Sequence, residues 1–235
     1  MNAYKITPRI FFLLVIFLLM QNLSADIQVT GIEAGSDFRV EYNRSLLYSV
    51  DCYSALAAVE LNELYAFKGG LSLGELAGGL DIKSFTQGKI GPLFTMPLHF
   101  SLAWIYNGLP AYEVHSHTAL PVVSLNGKWA GIAVGIGLRF TSFFGEPALF
   151  ESMLSFSVYA NFVNNKRLRL GVSWANFDDF YAGNMGAYSL RLNSVIRANE
   201  QWSFINDIEL LQSGSVGLAA NFYGIAYRGG IRVKW

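Results

Sequence analysis

The chain has 235 residues, with 17 Lys and Arg against 17 Asp and Glu and a formal net charge of zero. That balance offers no electrostatic footprint for a nucleic-acid partner, and the charged fraction of 14% is low beside the roughly 25% of soluble domains. Apolar residues reach 52% and aromatics 15%, yet past residue 25 no run approaches the roughly 18 consecutive apolar residues of a membrane-spanning helix.

At the start of the chain, Lys5 and Arg9 form a positive opening, Ile10 to Met20 an unbroken apolar run, and Gln21 to Ala25 a polar stretch ending on a small residue. This is the layout of a cleavable export signal, with cleavage expected after Ala25. As a helix the apolar run would span about 16 Å, roughly half of a hydrocarbon core, so it is too short for an anchor. Cleavage removes two cations and leaves 15 basic against 17 acidic residues. No cysteine stands at the cleavage point to carry lipid, and the single Cys52 cannot form an internal disulfide.

Residues 26–54 read as a leader or an added strand. Ala55 to Phe67 and Leu71 to Ile82 each read as strands. Ser54 to Lys68 is rich in Ala, Leu and Glu and is followed by Gly69-Gly70, so a capped helix competes there.

From Phe94 onward an alternation of period 2 dominates, the signature of strands with one apolar face. Phe94, Met96, Leu98, Phe100, Leu102, Trp104 and Tyr106 share one face, with Thr95, Pro97, His99 and Ser101 opposite. A less regular strand covers Tyr112 to Leu125. Ala130 to Phe140 is the cleanest: Ile132, Val134, Ile136, Leu138 and Phe140 face one way, and Gly131, Ala133, Gly135, Gly137 and Arg139 the other. Leu154 to Phe162, Leu168 to Trp174, Tyr188 to Arg197 and Trp202 to Leu210 repeat the pattern, with Asn206 interrupting the apolar face of the last. Tyr223, Ile225, Tyr227, Ile231, Val233 and Trp235 close the series, with Arg228, Arg232 and Lys234 on the opposite face.

The connections alternate in length. Asn126-Gly127, Asn164-Asn165-Lys166 and Asn199-Glu200-Gln201 are short and rich in residues that tolerate positive φ. The links near 107–111, 142–150, 175–186 and 211–222 are longer. With the short turns at one end, Trp129, Trp202 and Trp235 fall at that end and Trp104 and Trp174 at the other, as aromatic girdles at two interfaces would. A soluble β-sandwich would bury those apolar faces and place a tryptophan mid-strand. The expectation is therefore an all-β transmembrane antiparallel up-and-down barrel of ten strands, with eight or twelve as alternatives, formed by one domain over 55–235.

The chain resembles small bacterial outer-membrane β-barrel proteins, and Tyr227, Gly229, Ile231, Val233 and Trp235 are similar to the β-signal that ends such barrels. The resemblance implies export, periplasmic chaperones, recognition by the barrel-assembly machinery and residence among outer-membrane lipids. It implies no particular activity, and no cofactor or metal is expected.

The inward faces carry Arg139, Arg169, Arg191, Arg197, Asp207, Glu209, Arg228 and Arg232. Two functions follow: an internal ion-pair network that closes the barrel, or a narrow, anion-favouring passage for small polar solutes lined by the arginine excess. His115-x-His117 with His99 invites a metal site only if the strand register brings all three to one face. Asp178-Asp179 in a loop and a histidine at a strand top are loosely the ingredients of an omptin-like barrel protease, though this chain is shorter and its histidine lacks an acidic partner in the motif. The aromatics of 175–186, with Phe143 and Phe144, offer either a surface anchor for an extracellular ligand or packing over the barrel mouth.

Overall fold

The computed structural model describes the backbone of 28–233 apart from 44–45, 61–64, 77–78, 94–95, 145, 147, 184–186 and 215–220; side chains are described from Tyr65 onward, except 75–76 and 221–223. The export signal with its cleavage point at Ala25, the side chain of Cys52 and the terminal Trp235 lie outside the described residues.

Twelve antiparallel strands close into a barrel in simple up-and-down order. They are β1 (Gln28–Asn43), β2 (Leu46–Glu60), β3 (Tyr65–Leu76), β4 (Gly79–Leu93), β5 (Leu98–Leu109) and β6 (Val114–Asn126), then β7 (Ala130–Phe143), β8 (Leu149–Asn164), β9 (Leu168–Ala175), β10 (Ala187–Arg197), β11 (Trp202–Ser213) and β12 (Asn221–Val233). β1 pairs with β2 on one side and with β12 on the other, which seals the cylinder and leaves no edge.

Each strand from β5 to β12 matches a run read from alternation. The count is twelve, one of the alternatives to ten, because the segment before Phe94 folds as four strands where two were expected. Residues 28–54, left as leader or added strand, supply β1 and the first part of β2. The Ala55–Phe67 run covers the end of β2 and the start of β3, with 61–64 outside the described residues, and the Leu71–Ile82 run covers the end of β3 and the start of β4. Where a helix competed at Ser54–Lys68, the described residues 54–60 and 65–68 are strand; Gly69 and Gly70 lie within β3 and pair with Thr86 and Phe85 of β4.

Met96 and Pro97 precede β5 rather than belonging to it, and Phe94 and Thr95 lie outside the described residues. Met96 N–H donates to Leu93 O at 3.0 Å, and Pro97, which has no N–H to give a ladder, accepts at its O from Asn126 N–H at 2.9 Å.

The turns form where their residues called for them. Asn165 Oδ1 accepts from the N–H groups of Arg167 and Leu168 at 2.9 and 2.8 Å, and Asn199 Oδ1 from those of Gln201 and Trp202 at 2.9 and 2.7 Å. These side chains replace the backbone partners that the chain loses on reversing. Residues 96–97, 127–129, 165–167 and 198–201 lie at one end of the barrel, the turn rim. Residues 110–113, 144, 146, 148, 176 and 214 lie at the other, the loop rim.

The faces point as alternation requires. Ile132, Val134, Ile136, Phe140, Leu154, Phe162, Phe204, Ile208 and Ile231 are exposed on the outer wall, each 43% or more. So long a belt of exposed apolar side chains calls for a hydrocarbon solvent. Trp129 and Trp202 stand exposed at the turn rim, and Trp174 ends β9 at the loop rim. Trp104, expected at a strand end, instead sits near the middle of β5, opposite Ala119.

The one polar intrusion on the outer wall of β11, Asn206, is satisfied in place. Tyr227 Oη donates to Asn206 Oδ1 at 2.9 Å. The ring reaches it by lying over Gly229, which pairs with Asn206 in register and where an added Cβ would meet Tyr227 Oη at 3.1 Å.

Candidate functional site

The interior is divided lengthwise. On the β4 to β8 side it is filled by Phe85, Ala103, Ile105, Leu120, Val122 and Met153, all buried. The inward glycines of β7 make room for them: a Cβ at Gly135 would meet Val122 at 2.8 Å, and one at Gly137 would meet Met153 at 3.0 Å. The β8 to β12 side is polar and retains space.

The link between β9 and β10 enters the interior rather than spreading over the rim. Phe180 and Ala182 join the apolar cluster at 4% and 1% exposure, and Phe180 meets Phe85 edge-on with ring centroids 5.0 Å apart. Asn176 anchors the base of the loop. Its Nδ2 donates to Leu154 O at 2.8 Å and its Oδ1 accepts from Phe156 N–H at 2.7 Å. Asp178 Oδ1 then accepts from Phe180 N–H at 2.8 Å, which tightens the tip.

Three inward cations from three separate strands hold this loop. Lys68 of β3 pairs with Asp179. Arg191 of β10 lies between Asp178 and Glu209, with Nη2–O distances of 3.2 and 3.3 Å. Arg139 of β7 donates to Ala182 O and reaches Glu151 at 3.8 Å.

Among the described residues, three cavities adjoin through shared lining residues. One of about 500 Å³ extends from the turn rim between β8 and β12, one of about 250 Å³ lies beneath the inserted loop, and one of about 230 Å³ lies between the loop and β10 and β11. Arg191 lines all three, and Asp178 lines both the second and the third. Their pair therefore stands where the spaces meet.

Six of the eight inward charges expected from the sequence, Arg169, Arg191, Arg197, Asp207, Arg228 and Arg232, line the largest cavity together. Glu209 lines the cavity on the loop-rim side, and Arg139 lies across the barrel against the loop. Lys68, Lys128 and Asp179 also line the largest cavity and were not foreseen. Lys68 fell in a segment with two competing readings, and Asp179 had been placed in a surface loop. In backbone register Arg228 stands opposite Asp207 and Asp37, and Arg232 opposite Ser203 and Glu33. Arg169 stands opposite Val195 and Asn164, and Arg197 opposite Ser203.

The register also separates the histidines. His115 and His117 lie on the outer wall beside Tyr106, whose Oη is 2.9 Å from His115 Nδ1. His99 lies near the opposite rim with Pro97 O and Asn126. They share no site, and no cluster of metal-ligating residues occurs among the described residues. The protease ingredients are likewise apart: Asp178 and Asp179 are paired to cations inside the barrel, while His115 and His117 are outside it. Of the loop aromatics, Phe180 packs inward, whereas Phe144 is 63% exposed at the loop rim.

No protein-family model and no curated protein matches the chain. Solved structures do match over nearly its whole length. The NanC porin aligns with a TM-score of 0.59 at 8% identity, covering 87% of this chain and 100% of that one. The translocator domain of the autotransporter NalP from Neisseria meningitidis aligns at 0.53 and 11% identity over 96% and 95%, and the KdgM porin in complex with disordered oligogalacturonate at 0.53 and 8% over 86% and 99%. At such identities the likeness is one of fold, and the fold is that of bacterial outer-membrane β-barrels.

Proposed function

We propose that this chain resides in a bacterial outer membrane and passes small polar solutes, anions in preference, by a narrow path along the β8 to β12 wall. The observation that carries this is the sharing of Arg191 by three adjoining cavities between turn rim and loop rim. Arg191 is held there between Asp178 and Glu209, and the arginine excess of the larger cavity supplies the preference for anions toward the turn rim.

In this reading the turns face the periplasm and the loops the outside, after export by the signal at 1–25. Tyr227, Gly229, Ile231, Val233 and Trp235 serve as the recognition strand for the barrel-assembly machinery. Gly229 has a second use within the fold, since it lets Tyr227 reach Asn206. The chemistry is passage rather than catalysis.

The docking of Phe180 and Asp179 favours a second reading, a barrel closed by its own loop. Planar-bilayer recording of the folded protein in a potassium chloride gradient separates the two. A unitary conductance with a reversal potential displaced toward that of chloride supports the passage; no unitary conductance removes it and leaves the closed barrel.

A further inference from the structure

The inserted loop carries two adjacent carboxylates, and both are seated on cations of the interior: Asp178 on Arg191 and Asp179 on Lys68. Lys68, Asp179 and Arg191 also line the largest of the three cavities, so the Lys68–Asp179 pair and the Asp178-paired Arg191 form its inner end. Toward the turn rim that cavity meets Arg169, Arg197, Arg228, Arg232 and Lys128.

These cations are not equivalent. Arg228 and Arg232 have Asp37 and Glu33 of β1 opposite them in register. Arg169 has Val195 and Asn164 opposite it and Arg197 has Ser203, none of them a carboxylate, and the Arg197 guanidinium donates to Asn165 O at 2.6 Å. Arg169 also lies within Coulombic reach of both Arg197 and Arg232, with Asp207 as the opposing charge. Like charges gathered in a confined space raise the energy of the empty site, and an anion bridging them lowers it. A space of about 500 Å³ holds a molecule well beyond a single hydrated halide.

We propose that this cavity is a binding site for a multivalent anion, centred on Arg169 and Arg197, and that Asp178 and Asp179 are a built-in competitor for its two innermost cations. The ligand carries several phosphate or carboxylate groups along its length. Its outer groups engage Arg169 and Arg197, and its leading groups displace the loop carboxylates from Arg191 and Lys68. The site deepens the passage reading and rests on the same interior. A competitor that occupies the site part of the time weakens apparent affinity by that fraction, so removing it tightens binding.

The test uses the full folded chain, with tripolyphosphate and citrate as separate probes. Titration calorimetry in detergent reads binding directly, and block of chloride current from the turn-rim side reads it in bilayers. Saturable binding is expected for at least one probe, and which one binds assigns phosphate or carboxylate as the recognised group. Arg169→Gln with Arg197→Gln should weaken it by about tenfold or more. Asp178→Asn with Asp179→Asn should tighten it several-fold, and Lys166→Gln, a turn residue outside the cavity, controls for bulk charge. Heat-modifiable migration on a gel confirms that each variant folds.

Absence of saturable binding of either probe overturns the site, as does binding indifferent to the arginine changes. Unaltered affinity in the double Asn variant overturns the competitor role. Chloride conductance without binding removes the site and keeps the passage, whereas binding without conductance keeps the site and removes the passage.

Discussion

Asp178 and Arg191 meet inside the barrel at 3.2 Å, one on a loop that could have spread over the rim and the other on the strand that follows it. The contact places a loop carboxylate at the point where the three interior cavities adjoin. Replacing Asp178 by Asn removes the charge but leaves Arg191 its second partner, Glu209 at 3.3 Å, so the strand register should survive. Single-channel conductance should rise by about twofold or more. An unchanged unitary conductance would show that the loop does not set the narrowest point.

Phe180 is the apolar counterpart of that ion pair. It is 4% exposed and packs edge-on against Phe85. Truncation to Ala should weaken loop docking by about 3 kcal/mol, the low end for a buried Phe. Because the barrel walls do not depend on it, the loss should appear as faster protease cleavage within 176–186 and as noisier channel current, with little change in the urea midpoint of the whole barrel.

On the outer wall, Tyr227 and Asn206 satisfy each other where no water is at hand. Tyr227→Phe strands the Asn206 amide oxygen and should destabilise the barrel by about 1 to 3 kcal/mol. Tyr227→Phe combined with Asn206→Leu removes both polar groups and should recover most of that loss. Urea unfolding in lipid vesicles, followed by tryptophan fluorescence, measures the cycle. A double variant no more stable than the single would count against a hydrocarbon environment at this position.

Ile136, 54% exposed near the middle of β7, tests membrane placement more directly. Ile136→Arg should cost about 2 to 4 kcal/mol in vesicles, as expected at a bilayer midplane, and less for the same change at Ile132 nearer the rim. Equal losses at the two positions would contradict the assignment of the outer wall to lipid.

How much of this was legible follows from where the alternation is pure. β7 has glycines and alanines on one face and Ile, Val, Leu and Phe on the other, and it was read without ambiguity. β4 escaped notice because its outward face includes Ser84, Thr86 and Gly88 while Phe85 points inward, which erases the contrast that periodicity relies on. Gly69-Gly70 looked like a helix stop because the local pattern carries no record of the strand beside it. The arginines could be assigned to a face from the sequence, since that needs only parity. Their grouping into one cavity, and the inward course of 176–183, depend on which strands face each other across the cylinder. That is a property of closure, which no local window contains.

The pairing of β1 with β12 joins segments some 190 positions apart, Ile32 with Val233 and Glu41 with Gly224. Each of the other seams joins consecutive strands and forms as a hairpin of low loop entropy. This one cannot begin to form until the whole sheet exists and has curled, and it holds the most sequence-distant strand pairing of the fold. Insertion of the chain into a bilayer is thus expected to show two kinetic stages, a graded growth of the sheet and a slower, all-or-none sealing event. Crosslinks across the seam would report the second stage alone.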